Sequence, residues 1–327
     1  MQIDAGAAAT LLAEQDNIVI FCHRKPDGDT IGSGFALFHA LEAMGKTVRI
    51  ECADPINWGR FPQIFGDYAP KAFPASFLVA VDVADEGLLM DIHKPYNRQV
   101  DLCIDHHKSN SLFARHTVLD ATCAAAAELI YRVVAELGIA PNPKVATGVF
   151  TGITTDTGCF RHANVTPDTH RIAAEMLAWG ADGHFINQLM FENKTKGRMQ
   201  IDKLMMDTIE FHFADRCAVV FVPADLKERF HVTEEELDGI SAFPRTIEGV
   251  LAGVTIRDKG DGSYRVSLRS RSPVDSSRIC REFGGGGHTN AAGCTITGTP
   301  DEVKQRLLAV VEAELNRDDK AGIPHER

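Results

Sequence analysis

Short apolar runs alternate with helical patterns through the first half of the chain. The runs NIVIFC, TVRIEC, FLVAVDV and VDLCID are rich in Val and Ile, as is typical of parallel strands that are buried on both faces. The segments IGSGFALFHALEAMG, AAAAELIYRVVAELG and TPDTHRIAAEMLAWG have helical spacing and each ends at a glycine. This alternation predicts an α/β fold, with a doubly wound, mostly parallel sheet over residues 1–187.

The pattern changes after residue 187. Residues 188–212 have helical periodicity and little turn chemistry, so we expect a helical connector there. Over 213–320 we expect a smaller α/β domain, with strands CAVVFV, GVLAGVTIRD and YRVSLRS and helices ADLKERF, SSRICREF and DEVKQRLLAVVEAELNR. The link DKGDGS indicates a hairpin, and the tail DDKAGIPHER is expected to fray.

Composition narrows the class of protein. The chain has 327 residues, of which 44% are hydrophobic and 24% charged, an ordinary globular balance. No apolar run approaches the roughly 20 residues of a membrane span, and the N-terminus lacks the basic region of a signal peptide. Eight cysteines occur without any CxxC motif, which favours buried thiols in a reducing compartment over disulfides or zinc. A cytoplasmic protein without a membrane partner is therefore expected.

The net charge of −11 argues against duplex nucleic acid as a partner, since proteins that bind it by counterion release are normally basic. An acidic enzyme can still bind small anions when metal ions supply local positive charge. A small nucleotide or a short single-stranded oligonucleotide is the expected partner.

Acidic and histidine side chains follow the predicted strands. Because ligands bind beyond the carboxyl ends of the strands in an open parallel sheet, four segments are expected to bring these side chains to one edge. They are His23, Asp27 and Asp29 after NIVIFC, Asp82 after FLVAV, Asp105, His106 and His107 at the end of VDLCI, and Asp156 after the apolar run VFTGITT.

Carboxylates crowded in this way would repel one another, and divalent cations would remove the repulsion. Mixed Asp and His ligation without a thiolate suits Mn²⁺, with Mg²⁺ or Co²⁺ as alternatives, and argues against structural zinc. Two such ions about 3.5–4 Å apart would lower the pKa of a bound water and clamp phosphoryl oxygens. The pattern predicts a two-metal phosphoesterase.

Each segment alone also has a simpler explanation. The segment PDGD is typical of a turn, and an Asp at a strand end, such as Asp82, usually caps a helix or loop. A His-His pair usually lies at the surface, and Asp156 could form an Asx-turn. Their common position at the ends of predicted strands or apolar runs favours one shared site.

A glycine tract near the C-terminus is a second candidate site. Consecutive glycines let the backbone approach an anion and present N–H donors, although a flexible loop is the commoner explanation. The tract follows a predicted helix and lies opposite a strand end with an arginine suited to bidentate phosphate contact. The candidate substrate-binding residues are Arg269, Ser270, Gly284, Gly285, Gly286, Gly287, His288 and Asn290.

The segments HRKPDGDTIGS, VAVDVAD, IDHHKSN and TTDTGCF, in this order, resemble the four motifs of the DHH phosphoesterases, and FGGGGHTNAAG resembles the signature of the domain associated with them. The resemblance covers nearly the whole chain. It implies one metal held by His23, Asp27 and Asp82, and a second held by Asp29, Asp82, His106 and Asp156. It also implies that Asp82 bridges the ions, that Asp105 orients a neighbouring imidazole, and that His107 approaches the scissile phosphate or the leaving oxygen.

Size and layout are similar to the nanoRNase and pAp-phosphatase branch of this family. The resemblance implies a catalytic domain over 1–187 and a substrate-binding domain over 213–320. Members of the branch remove the 3′-phosphate of 3′-phosphoadenosine 5′-phosphate (pAp) and cut very short oligonucleotides to mononucleotides. A soluble pApA or cyclic di-AMP phosphodiesterase stays open as an alternative. A non-catalytic nucleotide-binding protein would be marked by loss of a metal ligand, and none is missing.

Two points stay open. Where relatives often have Ser and Thr, this chain has Ala125, Ala126 and Ala127 before Glu128, which puts a hydroxyl cap or phosphate contact there in doubt. The Met and Leu residues of the connector fit either a homodimer interface or core packing.

Overall fold

The computed structural model describes residues 1–56, 59–233, 235–237 and 239–321. The chain divides into two compact units, Met1–Asn193 and Lys194–Arg327. The finer division expected from the sequence, with a separate connector over 188–212, stays a prediction. Within the described ranges, no helix is both long enough and apolar enough to cross a membrane.

A parallel sheet forms the centre of the first unit. Its strands are β1 (Ile18–Cys22), β2 (Val48–Cys52), β3 (Phe77–Val81), β4 (Leu102–Asp105) and β5 (His116–Leu119). They lie in the order β2-β1-β3-β4-β5, and every neighbouring pair is parallel. The helices are α1 (Ala5–Glu14), α2 (Gly28–Ala43), α3 (Phe61–Phe65), α4 (Ala126–Glu136), α5 (Pro143–Asp156), α6 (Pro167–Ala178) and α7 (Gly183–Asn187).

The apolar character of the strands follows from burial on both faces. Along β1, Ile18 and Ile20 enter one hydrophobic cluster, whereas Val19 and Phe21 enter another on the opposite face. This is the pattern expected when helices or loops cover both sides of a parallel sheet. The predicted α/β class and parallel sheet are thus confirmed.

The sequence assigned neither a helix nor a strand to the apolar run VFTGITT, because a short apolar run has no period that separates a buried helix from a strand. This run lies inside helix α5. Residues 188–193 begin with a π-helical turn, Gln188–Glu192.

The second unit contains a six-stranded mixed sheet in the order β10-β11-β9-β8-β7-β6. The strands are β6 (Glu210–His212), β7 (Cys217–Val222), β8 (Ala252–Asp258), β9 (Ser263–Ser270), β10 (Gly286–His288) and β11 (Ala291–Thr297). The helices are α8 (Lys196–Thr208), α9 (Leu226–Phe230), α10 (Ser276–Arg281) and α11 (Pro300–Ala321), with 3₁₀ helices at Glu235–Leu237 and Ile240–Thr246. Strands β8 and β9 form the expected hairpin.

Apolar side chains from α10 and α11 cover one face of this sheet. Ile279 and Leu307 share a cluster with Val254, Val266 and Ile296 of three strands. Helix α11 includes residues 318–321, which were expected to fray; residues 322–327 of the expected tail lie outside the described residues. All eight cysteines are free thiols, as expected.

Helices α2 and α5 cross at a pair of glycines. A Cβ built on Gly148 would lie 2.5 Å from the carbonyl oxygen of Gly32, and one built on Gly32 would overlap the carbonyl oxygen of Gly148. The two helix backbones are therefore in direct contact, and any larger side chain must push them apart.

We predict that Gly148→Ala lowers the free energy of unfolding by about 1–3 kcal/mol, because overpacking at a backbone contact cannot be relieved by a rotamer change. Gly6→Ala is the control: it lies in helix α1, and the nearest atom to its added Cβ is 3.6 Å away. Alanine there should leave stability unchanged or raise it by up to about 1 kcal/mol. Urea unfolding of both variants measures the difference, and equal midpoints would contradict the helix contact.

Candidate functional site

The ends of three neighbouring strands deliver part of the acidic and histidine cluster. His23 follows β1 directly, Asp82 follows β3, and Asp105 is the last residue of β4 before His106 and His107. Strands β1, β3 and β4 are adjacent in the sheet, so their carboxyl ends meet at one edge.

Helix ends deliver the remaining carboxylates. Asp27 is the N-cap of α2 and accepts hydrogen bonds from the backbone N–H groups of Asp29 and Thr30. Asp29 lies in the first turn of α2, and Asp156 is the last residue of α5. The glycine contact between these two helices thus helps to set where the three carboxylates lie.

Asp82 lies at the centre of the cluster. Its Oδ2 is 3.6 Å from Nε2 of His23, and its Oδ1 is 3.6 Å from Nε2 of His106. Its backbone has a φ of 57°, in the left-handed region that Asp tolerates better than most residues. The side chain is buried, and Oδ1 has no hydrogen-bond partner in the described part of the chain. Such a buried oxygen needs a partner of opposite charge.

Three overlapping groups have ligand atoms within 4.8 Å of one another, the spacing at which they could hold metal ions. One joins Asp82 to His23 and Asp27. A second joins Asp29 to His106 and Asp156. The third contains Asp82, His106 and His107. The structure therefore brings all of the sequence-predicted ligands together, and it also places His107 beside them, with Nδ1 3.4 Å from Asp82 Oδ1.

Backbone carbonyl oxygens orient two of the imidazoles. Nδ1 of His23 donates to the carbonyl oxygen of Arg24 at 2.8 Å, and Nδ1 of His106 donates to that of Cys123 at 3.2 Å. A carbonyl can only accept, so a proton is held on Nδ1, and Nε2 is the nitrogen that faces the carboxylates and is left to bind a cation once it has lost its own proton. This is the tautomer that a metal ligand requires.

Asp105 orients the third imidazole. Its Oδ1 accepts a 2.8 Å hydrogen bond from Nδ1 of His107, and its Oδ2 accepts one of 2.6 Å from the Asn110 amide. Burial raises the pKa of Asp105, but these hydrogen bonds outweigh it and lower the pKa below its usual value. Asn110 was not among the expected site residues, although it belongs to the motif IDHHKSN.

The pKa shifts show that the cluster requires positive charge. Burial, together with the charges of neighbouring aspartates, raises the pKa of Asp29 and Asp82, and it raises that of Asp156 to about 6. Burial lowers the pKa of His23, but hydrogen bonds to Asp27 and Asp82 outweigh it and raise the pKa to about 10. Protons and imidazolium groups thus offset the repulsion when no other cation does. A cluster of several carboxylate and imidazole donors is a ligand set that suits divalent cations.

Asp29 also caps a second helix. Its Oδ2 accepts the backbone N–H of Ala126 at 2.6 Å and its Oδ1 that of Ala127 at 3.0 Å. Both N–H groups lie in the first turn of α4, where they have no acceptor within the helix. The N-cap residue of α4, Ala125, has no side-chain oxygen to accept them. A carboxylate from α2 therefore performs the capping that alanines 125–127 cannot, and it is favoured by the α4 macrodipole.

The candidate substrate-binding residues lie together in the second unit. Gly286–His288 forms the edge strand β10 rather than a loop, and Gly284 and Gly287 have positive φ angles of 71° and 141°. His288 pairs with Ala291, which in turn pairs with Arg269 of β9.

Ser270 and Asn290 have structural contacts. The Ser270 hydroxyl is buried and donates to the carbonyl oxygen of Val274, and its N–H donates to the carbonyl oxygen of Asn290. Asn290 makes this contact through its backbone and is exposed, so Arg269, the glycines, His288 and the Asn290 side chain remain open to a ligand.

Models of known protein families match both halves of the chain. Residues 17–153 match the model of the DHH family, N-terminal domain, and residues 215–317 match that of the DHHA1 domain. A crystal structure of an exopolyphosphatase-related protein from Bacteroides fragilis is similar, with a TM-score of 0.77 and 23% identity over 94% of this chain and 96% of that chain. That likeness shows a shared fold.

Two relatives are similar over almost their whole length. The bifunctional oligoribonuclease and PAP phosphatase NrnA of Thermus thermophilus is 35% identical, over 95% of this chain and 94% of its own. The probable bifunctional oligoribonuclease and PAP phosphatase NrnA of Streptococcus mutans is 27% identical, over 88% of this chain and 93% of its own. The motifs, the convergent cluster and the 35% identity together establish that this chain belongs to the DHH family and carries its DHHA1 domain.

Proposed function

We propose that this protein is a metal-dependent phosphoesterase that hydrolyses pAp to AMP and degrades very short oligonucleotides to mononucleotides. The observation that carries the proposal is the placement of Asp82 between two groups of ligands, with one oxygen toward His23 and the other toward His106. The names of the Thermus and Streptococcus relatives support the choice of substrates.

The first unit would carry the chemistry. His23, Asp27 and Asp82 would hold one divalent cation, and Asp29, Asp82, His106 and Asp156 a second. We propose Mn²⁺, because the donor set mixes carboxylates and imidazoles without a thiolate. Such ions supply Lewis-acid polarisation of the phosphoryl oxygens and a lowered pKa for a coordinated water.

His107 would act on the phosphate or the leaving oxygen. Its Nδ1 is held by Asp105, so Nε2 is the nitrogen left to face a substrate. The hydrogen bond that His107 Nδ1 donates to Asp105 raises the pKa of His107 to about 9 against the opposing effect of burial. A proton on Nε2 would suit donation to a phosphoryl or leaving oxygen.

The second unit would bind the substrate. Arg269 can make a bidentate contact to a phosphate, and the glycines of β10 and His288 lie near it through the strand pairing described above. We propose that these residues hold a terminal phosphate of the nucleotide.

Mn²⁺ should stabilise the protein against thermal unfolding. At a concentration of about 100 times its dissociation constant, a bound ion adds about 2.7 kcal/mol. In Asp82→Asn this stabilisation should be absent, whereas in EDTA the variant should be at least as stable as wild type, because burying the ionised carboxylate is unfavourable. Thermal melts with Mn²⁺ and with EDTA test this, and an equal Mn²⁺ shift in both proteins would contradict a shared ligand at Asp82.

Hydrolysis of pAp should fall by at least about 10³-fold in Asp82→Asn, since the shared ligand contributes to both cation sites. Asp85→Asn is the matched control. Asp85 lies three residues further along, outside the cluster, where it accepts the N–H of Gly87 at the start of a 3₁₀ helix. Asparagine preserves that cap, so turnover should remain near wild type. Equal loss of turnover in both variants would point to a folding defect instead.

The substrate proposal is tested by comparing pAp, pApA, cyclic di-AMP and short RNA side by side with Mn²⁺. We expect turnover of pAp and of oligonucleotides a few residues long, with little cleavage of cyclic di-AMP. Phosphate release and chromatography of the products measure both activities. Preferred cleavage of cyclic di-AMP, or undiminished cleavage of long RNA, would overturn the proposed specificity.

A further inference from the structure

The first cation site, formed by His23, Asp27 and Asp82, requires a reversal of the chain. His23 and Asp27 are four positions apart, and four extended residues span about 13 Å. Nε2 of His23 nevertheless lies 3.6 Å from Oδ1 of Asp27 and 3.6 Å from Oδ2 of Asp82. The backbone between His23 and Asp27 must therefore turn back for both side chains to reach one ion.

Lys25, midway between these two ligands, makes the turn in an unfavourable conformation. Its φ is 50°, in a region where residues other than glycine are uncommon. Pro26 follows it, and a residue before proline prefers an extended backbone with φ near about −120°. Such a conformation costs free energy and persists only when surrounding groups hold it. Contacts from outside the loop must therefore hold Lys25.

Two neighbouring segments accept hydrogen bonds from the backbone of this loop. The N–H of Arg24 donates to the carbonyl oxygen of Leu88 at 2.9 Å. The N–H of Lys25 donates to Oδ2 of Asp54 at 2.6 Å, a short bond of the strong kind that a charged acceptor makes. Of these two acceptors only Asp54 is a side chain, so a substitution can remove its contact without altering the backbone.

Strand register explains why Asp54 lies beside the loop. Strands β1 and β2 are parallel, and Cys22 pairs with Cys52 at their carboxyl ends. The residues after β2 therefore run next to the residues after β1. The Cys52 thiol donates to the carbonyl oxygen of His23 at 3.2 Å, and Asp54 follows two residues later. Two side chains from the end of β2 thus contact the backbone of the loop.

The second cation site has ligands that do not depend on this turn. Asp29 lies inside α2, His106 follows β4, and Asp156 ends α5. Asp27 is itself fixed to α2 as its N-cap, so relaxation at the turn would move His23 away from it. Loss of the contact from β2 should therefore affect the first cation site and spare the second.

We propose that Asp54 is a positioning residue for the first cation site. It accepts the N–H of Lys25, holds the turn, and thereby keeps His23 within reach of its two partner ligands. The inference rests on the metal sites of the proposed function. It adds to them a residue outside the cluster that sets the affinity of one ion and not of the other.

Mn²⁺ binding to the full-length protein tests the inference without any turnover. Titrations are followed by the electron paramagnetic resonance signal of free Mn²⁺, which counts the ions bound. Wild type should bind two ions per chain. Asp54→Ala should weaken one of them by about 10–100-fold, the usual effect of removing a group that orients a metal ligand, and change the other by less than about twofold.

Asp54→Asn separates the geometry of the contact from its charge. The side-chain oxygen of asparagine can accept the N–H of Lys25, so this variant should bind both ions within about threefold of wild type. If Asp54 acted only through its negative charge, asparagine and alanine would weaken binding alike, and the inference would fall.

A double variant tests whether Asp54 acts through Lys25. Glycine adopts a positive φ without steric cost, so the turn should depend less on Asp54 when glycine replaces Lys25. The loss of Mn²⁺ affinity caused by Asp54→Ala should shrink to less than about fivefold in a Lys25→Gly background. An equal loss in both backgrounds would contradict an effect through the turn. This comparison also serves if Asp54→Ala alone does not fold.

Asp16→Ala is the matched control. Asp16 precedes β1 and accepts the N–H of Thr47, which precedes β2, also at 2.6 Å. The contact is of the same type and joins the same two strands, but it lies at their amino ends, away from the cation sites. Both Mn²⁺ affinities should stay within about twofold, because exposed charges at that distance are screened by salt.

Wild-type affinity for both ions in Asp54→Ala would overturn the inference, and so would equal weakening of both ions or a comparable loss in Asp16→Ala. The proposed activity fails separately. If Asp54→Ala loses one ion as expected but wild type hydrolyses neither pAp nor short RNA, the inference stands and the activity falls. If wild type hydrolyses pAp and Asp54→Ala binds both ions normally, the activity stands and the inference falls. A wild type that binds no Mn²⁺ would overturn both.

Discussion

Repulsion between buried carboxylates is the constraint on which the N-terminal unit depends. Asp29 and Asp82 are almost completely buried, and Asp27 and Asp156 add charge beside them. The raised pKa values of Asp29 and Asp82 express that repulsion as a preference for the neutral form. Imidazoles held with Nε2 toward the carboxylates complete a donor set suited to divalent cations. The same repulsion that opposes folding without cations would favour the binding of cations there.

Stability and site assembly share residues in this unit. The contact between Gly32 and Gly148 lets helices α2 and α5 touch, and the ends of those helices carry three of the carboxylates. Asp29 serves both purposes at once, because it caps helix α4 and lies 3.8 Å from His106 Nε2. A substitution at Asp29 would therefore disturb a helix end as well as a ligand, whereas Asp82 has no such capping role among the hydrogen bonds of the described residues.

The two units have opposite electrostatic character at their candidate sites. The first concentrates carboxylates that attract cations. The second places Arg265 and Arg269 on one face of strand β9, in a chain with a net charge of −11. Phosphoryl oxygens are bound by cations and by guanidinium groups alike.

The pattern of residues along the chain was enough to predict the α/β class, four of the five strands of the parallel sheet and the convergence of the candidate ligands, because buried parallel strands are apolar and their carboxyl ends meet. It missed β5 (His116–Leu119). It could not predict that Asp156 ends a helix, that Asp29 caps a helix 97 residues away, or that the glycine tract pairs as strand β10. Nor could it predict that Gly253 of strand β8 lets the backbone of Arg245 approach it closely. The local pattern of apolar and polar residues reflects the periodicity of an element and the burial of its side chains. These contacts instead join segments that are distant in the chain, and they form only when the elements pack together.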